Sequence, residues 1–396
     1  MKQQRPLTIE GGRLVTPAGV QGGALRLVDG CIDGVGTAAQ DGDEVIDAGG
    51  ALVAPGLVDL GVFAIDKPAF HFGGITRAAL MPDQSPRLDL PSRVSYIAKS
   101  GKPDFWVHPL AAATRDLAGA EIAELGLMRE AGARGVATGR QWIANSGTML
   151  RLLQYAAMLD LVVVAHPEDA ALVGNAVATA AEAESIALTR DIALAEMASA
   201  RIHFRQVTTR AGLDIVRRAK ARGVSVTCGV TPAHFMLSDL ATVDFRTFAR
   251  LSPPLRSEDD RQAVREAIGD GTVDVIASGH DPRGPEDKRL PFSDAEPGMA
   301  GAETLLAMTL SLVRDEVIDI GRAFELVATK PAEILGVPAG AIAPGLEADV
   351  AIIDPDRPWI IQSAKMEATA GNTPFDGQPT QGRVLHLYKG GVPIRH

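Results

Sequence analysis

Residues 51–81, ALVAPGLVDLGVFAIDKPAFHFGGITRAALM, mark the point where the chain changes character. Upstream, Leu7 to Glu10, Arg13 to Thr16, Ala24 to Val28 and Cys31 to Val35 are strand-length runs separated by Gly-Gly, Asp-Gly and similar breakers, an all-β pattern. From Ala51 onward, short apolar runs alternate with longer amphipathic ones, as βα units on a parallel sheet do. Leu52–Val62 and Thr76–Met81 are the first two of eight strand candidates. The others are Phe105–Pro109, Gly135–Thr138, Leu161–His166, Ile202–Val207, Ser225–Val230 and Val273–Ser278. Helical stretches follow most of them, among them Glu121–Ala131, Gly147–Met158, Asp169–Ala198, Leu213–Ala221, Glu258–Ile268 and Ala302–Val313. Eight such units predict an α/β fold, a (β/α)8 TIM barrel. Between Phe63 and Thr76 only about a dozen residues remain, including Pro68, Gly73 and Gly74, and a crossover helix with its loops needs at least ~10–12. The first barrel helix is therefore expected to be missing or reduced to a turn.

After about Pro338 the pattern returns to strands, in PGLEADVAIIDPDRPWII (344–361) and RVLHLYKGGVPI (383–394). This tail is expected to complete the N-terminal sheet. The predicted organisation is a composite β-sandwich domain from residues 1–50 and 341–396, with the barrel as an insertion over 51–340.

A chain of 396 residues has room for this architecture, and 46% hydrophobic with 22% charged residues is ordinary for a soluble globular protein. The net charge of −10 argues against nucleic acid or an anionic membrane surface as main partner. The two cysteines, Cys31 and Cys228, cannot build a disulfide framework, which fits a reducing cytoplasm. Met1 to Thr8 is polar, with no apolar segment of a leader, and runs such as Leu159 to Ala165 fall well short of the ~18 residues a membrane helix needs.

Several segments, in order, resemble the amidohydrolase superfamily and most closely its dihydroorotases. VAPGLVDLGVFAID (53–66) is similar to the signature opening that barrel. MPDQSP (81–86), VVVAHPED (162–169) and VSVTCGVTPAHFML (224–237) resemble segments at its second, fifth and seventh strands. SPPLRSEDDRQAVREAIGDGTVDVIASGHDPR (252–283), DAEPGMAGAETLL (294–306), LVATKPAEILGV (326–337) and GLEADVAIID (345–354) continue the likeness to the end of the barrel.

The resemblance implies hydrolysis or condensation of a cyclic amide. In this family zinc polarises the carbonyl and lowers the pKa of a bound water to about 7, held by imidazoles and carboxylates at the C-terminal ends of strands. The family's His-X-His on the first strand falls on Gly61 and Phe63. Its bridging carboxylate or modified lysine falls on Thr138 and Gly139. The fifth-strand His is kept as His166, the sixth-strand ligand falls on Gln206, and the eighth-strand Asp falls on Gly279. The substrate-gripping Arg falls on Ile65, and an Asn becomes Asp83, whose charge opposes an anionic substrate.

Among the remaining polar residues, His166 is expected to be hydrogen-bonded to a neighbour and His203 to be structural. His234 and His280 are read as supporting or packing residues, and Cys228 as core. Glu168 and Asp169 are read as caps of a helix beginning there, Arg256 as positioning a loop, and Ser257–Asp260 as a helix N-terminus. The implied function is a non-catalytic dihydroorotase homologue without cofactor, a structural partner of the aspartate transcarbamoylase catalytic chain, itself a homodimer or higher oligomer. The alternative is an active enzyme converting dihydroorotate to N-carbamoyl-aspartate with zinc in a rebuilt site of His166, His234, His280 and Asp281. A third reading uses the open volume expected at Gly61 and Gly279 as a small-molecule pocket.

Overall fold

The computed structural model describes residues 5–173 and 181–395. All eight barrel strands are present: β1 (Leu57–Val62), β2 (Ile75–Leu80), β3 (Trp106–Ala112), β4 (Gly135–Ala137), β5 (Val162–Ala165), β6 (Ile202–Phe204), β7 (Val226–Val230) and β8 (Val275–Ile276). They pair in sequence order, each parallel to the next. Side chains alternating inward, among them Val58, Leu60, Ala79, Leu110, Val162, Val164 and Val275, fill the interior, joined by Ile334 and Leu335 of helix Lys330–Leu335.

No ladder joins β8 back to β1 in the sheet order, so the seam is closed by individual bonds. The Phe63 amide donates to the His280 carbonyl at 2.9 Å. Asp59, fully buried on β1, accepts from the Ser278 amide at 2.9 Å and from the Ser278 hydroxyl. Burial pushes the Asp59 carboxyl up, and the Ser278 bonds work against that shift.

Three expectations are corrected. Leu52–Val62 is not one strand, because Leu52–Pro55 pairs with Val350–Ile360 and Leu7–Thr16 in the terminal sheet, and only Leu57–Val62 enters the barrel. The break falls at Pro55-Gly56, where a Cβ on Gly56 would stand 2.5 Å from Thr76. The first barrel helix is present as Lys67–Gly73, seven residues long. Pro68 in its first turn and Gly74 in the left-handed conformation at its end let about two turns fit the short crossover. Finally, Asp169–Ala198 is not one helix: the helix is Ala181–Ala198, Asp169 accepts from the Ala171 amide in a local turn, and residues 174–180 lie outside the described residues.

The terminal strands form one hydrogen-bonded sheet around a separate small core that includes Ile9, Leu14, Leu25, Val53, Val350 and Tyr388. Strand Leu7–Thr16 bends at Gly11-Gly12 and changes parallel partner from Glu44–Asp47 to Leu52–Pro55. A buried ion cluster ties this sheet to the barrel. Arg77 of β2 and Lys389 of the terminal sheet both pair with Glu347 and Asp349, with both cations over the Trp106 ring.

Candidate functional site

The C-terminal ends of the strands, where barrel enzymes place their chemistry, converge on a small polar cluster. Phe63, just past β1, is 8% exposed and turns its ring into the mouth. The Arg140 guanidinium lies 3.6 Å from the ring centroid and that of Arg205 4.9 Å, so the ring stands between two cations. Gly61 and Gly279 leave no open volume. A Cβ at Gly61 would lie 3.2 Å from Arg205 Cδ, and one at Gly279 would lie 3.0 Å from Thr231 Cγ2 and 3.2 Å from the Met299 methyl. The cavity that Phe63, Arg140, Arg205, Gln206, His234 and Asp281 help to line measures only about 20 Å³. That is room for about one water. Among the described residues, Arg205 Nε, a donor, and Gln206 Oε1, an acceptor, have no hydrogen-bond partner. The expected open pocket is therefore corrected: arginine and methionine side chains fill the volume that the glycines vacate.

His166 follows β5, its amide donating to the Thr138 hydroxyl at 3.1 Å. Its Nε2 lies 3.2 Å from Glu168 Oε2 and its Nδ1 3.4 Å from Arg205, so Nε2–H donates to the carboxylate and Nδ1 accepts from the guanidinium. Glu168 is not a helix cap. It is buried between His166 and Arg256, whose guanidinium donates to it at 2.7 Å and to the Thr208 hydroxyl at 3.0 Å. Burial works to raise Glu168, but the His166 bond and the Arg256 charge override it and hold the carboxyl below its ordinary value. Glu184 lies nearby, raised by burial although it accepts from the amides and hydroxyls of Thr208 and Thr209.

The other candidate histidines are committed elsewhere. His234 Nε2–H donates to the Pro253 carbonyl at 3.1 Å, while Nδ1 accepts from the Thr231 hydroxyl at 2.8 Å. Burial pushes its pKa down to about 4, so the ring is neutral. His280 points away from the cavity, into the space between β8 and the first helix. There its ring sits 5.1 Å from that of Phe70, Nδ1 accepts from the Ala302 amide at 3.3 Å, and Nε2 lies 3.7 Å from Asp66. His203 bonds Thr227 at 2.9 Å and is driven by burial, then by Lys220 and Arg205, down to about 3.

Asp281 does reach the mouth, but Arg140 holds it at 2.8 Å and Arg283 at 3.2 Å. Asp83 accepts from the Arg140 amide at 3.0 Å and stands 2.8 Å from where a Cβ on Gly139 would be. The structure thus brings Phe63, Gln206, Gly279, His234 and Asp281 to one cavity. His166 joins through Arg205, and His280 is left outside. Among the described residues, no three His, Cys, Asp or Glu side chains converge as a metal-binding group. Sequence reasoning missed Arg140 and Arg205. For Arg205 a signal existed: a charge in IHFRQ, at the end of a strand that a barrel buries, demands compensation from its surroundings. Ser257 caps helix Glu258–Gly269 through the Asp260 amide as expected, and Cys228 is buried in the core.

The chain is similar to known proteins over nearly its whole length. Residues 78–394 match the amidohydrolase family. Curated relatives include a dihydroorotase of Geobacter sp. (strain M21), 36% identical with 98% of each chain covered, and one of Pelotomaculum thermopropionicum, 38% identical with 97% of each covered. Among solved structures, an L-hydantoinase (dihydropyrimidinase) from Arthrobacter aurescens superposes with a TM-score of 0.92 at 22% identity, over 99% of this chain and 96% of its own, which speaks for the fold alone. No described helix is long and apolar enough to cross a membrane.

Proposed function

The chain belongs to the amidohydrolase family as a dihydroorotase-like protein, and from that premise we propose that it has given up metal-assisted hydrolysis and acts as a structural partner of the aspartate transcarbamoylase catalytic chain in pyrimidine synthesis. The observation that carries this reading is the filling of the barrel mouth. A zinc ion needs three or four ligands with free lone pairs. Here Phe63 stands at a family ligand position, His166 and His234 have both ring nitrogens engaged, and Asp281 is neutralised by two guanidiniums. Those residues do not fit a divalent cation, and a cavity of about 20 Å³ does not admit a ring substrate. A barrel that keeps its packing without a site for its family's chemistry points to a role for its surface. Self-association to a homodimer or higher oligomer is part of the same proposal.

The competing reading is an active cyclic-amide hydrolase, favoured by the 36% identity to dihydroorotases across the full length. One preparation, purified without chelators, separates the two. Under the proposed reading, elemental analysis before and after zinc incubation finds well under one equivalent of zinc per chain. Dihydroorotate hydrolysis stays at background, and the chain co-elutes with aspartate transcarbamoylase in gel filtration. One or two zinc ions per chain with turnover, or separate elution of the two proteins, would sink it.

A further inference from the structure

Loss of ligands explains why a barrel mouth does not hold metal, but not what balances the carboxylates left inside it. Asp83, Glu168 and Asp281 remain at the mouth, each at least partly buried, where an uncompensated charge is costly. Arg140, Arg256 and Arg283 approach from the loops and each has a carboxylate at hydrogen-bonding distance. Arg205 differs. It rises from the end of β6, is 4% exposed, and has no ion pair to any one carboxylate among the described residues. Instead it touches the parts of the site that a metal would touch. It donates to the free nitrogen of His166, lies on the Phe63 ring, precedes Gln206 in the chain, and closes against Gly61.

We propose that the Arg205 guanidinium is the resident cation of this barrel, occupying the electrostatic place of a divalent metal and excluding one, so that the mouth is neutralised from within. The guanidinium stays charged despite its burial: burial, then Arg140, lowers its pKa only to about 10, and the charges of Asp83, Asp281 and Glu168 work the other way. The backbone agrees. Gly61, Gly139 and Gly279 have φ of +101°, +77° and +62°, and at the first of these the missing side chain is what lets Arg205 pass. This inference rests on the proposed loss of metal chemistry and names what replaced it.

The test uses the full chain and three substitutions. Arg205→Met keeps much of the volume and removes the charge, Arg205→Lys keeps the charge, and Arg205→Ala opens a guanidinium-sized hole. Thermal unfolding of the unsubstituted chain is expected to be indifferent to zinc and to chelator. Arg205→Met is expected to lower Tm by about 4–6 °C, since it removes the donor to His166 Nδ1 and a cation whose field reaches Asp83, Asp281 and Glu168, and Arg205→Lys by less than half as much. Arg205→Ala is expected to regain several degrees in millimolar methylguanidinium but not in equal sodium chloride. A Met variant as stable as the parent, or an Ala variant that ignores methylguanidinium, overturns the inference even if the parent is catalytically silent. Dihydroorotate turnover by the parent, with these stability differences intact, would overturn the functional reading and leave Arg205 in its role.

Discussion

Replacing Asp59 with alanine tests whether the barrel is closed by side chains at its seam. β8 is two residues long, and it meets β1 through the Phe63–His280 backbone bond and the two bonds from Ser278 to Asp59. Asp59 and Ser278 are both fully buried, so no water replaces a lost partner. Hydrogen bonds to charged groups contribute about 1.5–3 kcal/mol each, which puts the pair at about 3–6 kcal/mol. Freedom from burying a carboxylate offsets part of that, and the expected net loss is about 3 kcal/mol. A large share of a typical folding stability of ~5–15 kcal/mol would then depend on one side chain.

Urea unfolding measures the total loss, and hydrogen exchange locates it. Protection of the Ser278 and Phe63 amides should fall more than that of amides in β3 to β5. Ser278→Ala removes the hydroxyl bond to Asp59 and also leaves the His280 amide without the hydroxyl it donates to at 3.0 Å, and should cost about 2 kcal/mol. The double variant should cost clearly less than the two single losses together, because the residues share one interaction. An unchanged urea midpoint in Asp59→Ala, or loss of protection spread evenly over the barrel, would refute the seam argument.

Two further perturbations probe buried charge away from the mouth. Arg77→Met leaves Glu347 and Asp349 with Lys389 alone, and should lower stability by about 3 kcal/mol, read as a fall in Tm with the two domains still unfolding together. Glu303 is raised to about 7 by burial, against the Ala368 amide bond and helped by the charges of Glu367 and Asp66. An acid raised in the fold stabilises it most when protonated. Its contribution is full below about 4.5 and is lost as pH rises through about 7. Glu303→Gln should therefore flatten the decline in stability over that window by about 2 kcal/mol, measured as urea midpoints at several pH values. A parallel decline in parent and variant would show that Glu303 is not the titrating group.

The strand skeleton was legible because strands buried on both faces read as continuous apolar runs, as in LVVVAH and VSVTCGV. What misled was punctuation. Pro55-Gly56 sits inside an unbroken apolar run, and apolarity alone does not say that the chain leaves one sheet there and enters another. A two-turn helix inside a twelve-residue crossover was equally hidden, since Pro68 and Gly74 read as breakers although each is favourable at its own end of a helix. At the site, Gly61, Phe63, Gln206 and Gly279 were visible one by one. The filling was not, because Arg140 and Arg205 are long side chains whose direction depends on the packing of Phe63, Gly61 and Asp281. A glycine in a sequence looks like space, whereas here another side chain stands close against each glycine at the mouth.

That distinction bears on what a metal ligand placed at these positions would meet. A histidine at position 61 or an aspartate at 279 would have to adopt φ near +101° or +62°, each costing on the order of 1–3 kcal/mol in backbone strain. The new Cβ atoms would also meet Arg205 at 3.2 Å and Thr231 at 3.0 Å. Guanidiniums that now satisfy the carboxylates would compete with any incoming metal for the same negative charge. Glycine backbone, aromatic ring and guanidiniums therefore form one coupled arrangement. Restoring a single ligand would add strain without creating a site, because a metal needs several donors at once while each glycine and arginine stabilises the arrangement without it. The mouth is held in its present form by packing and electrostatics together.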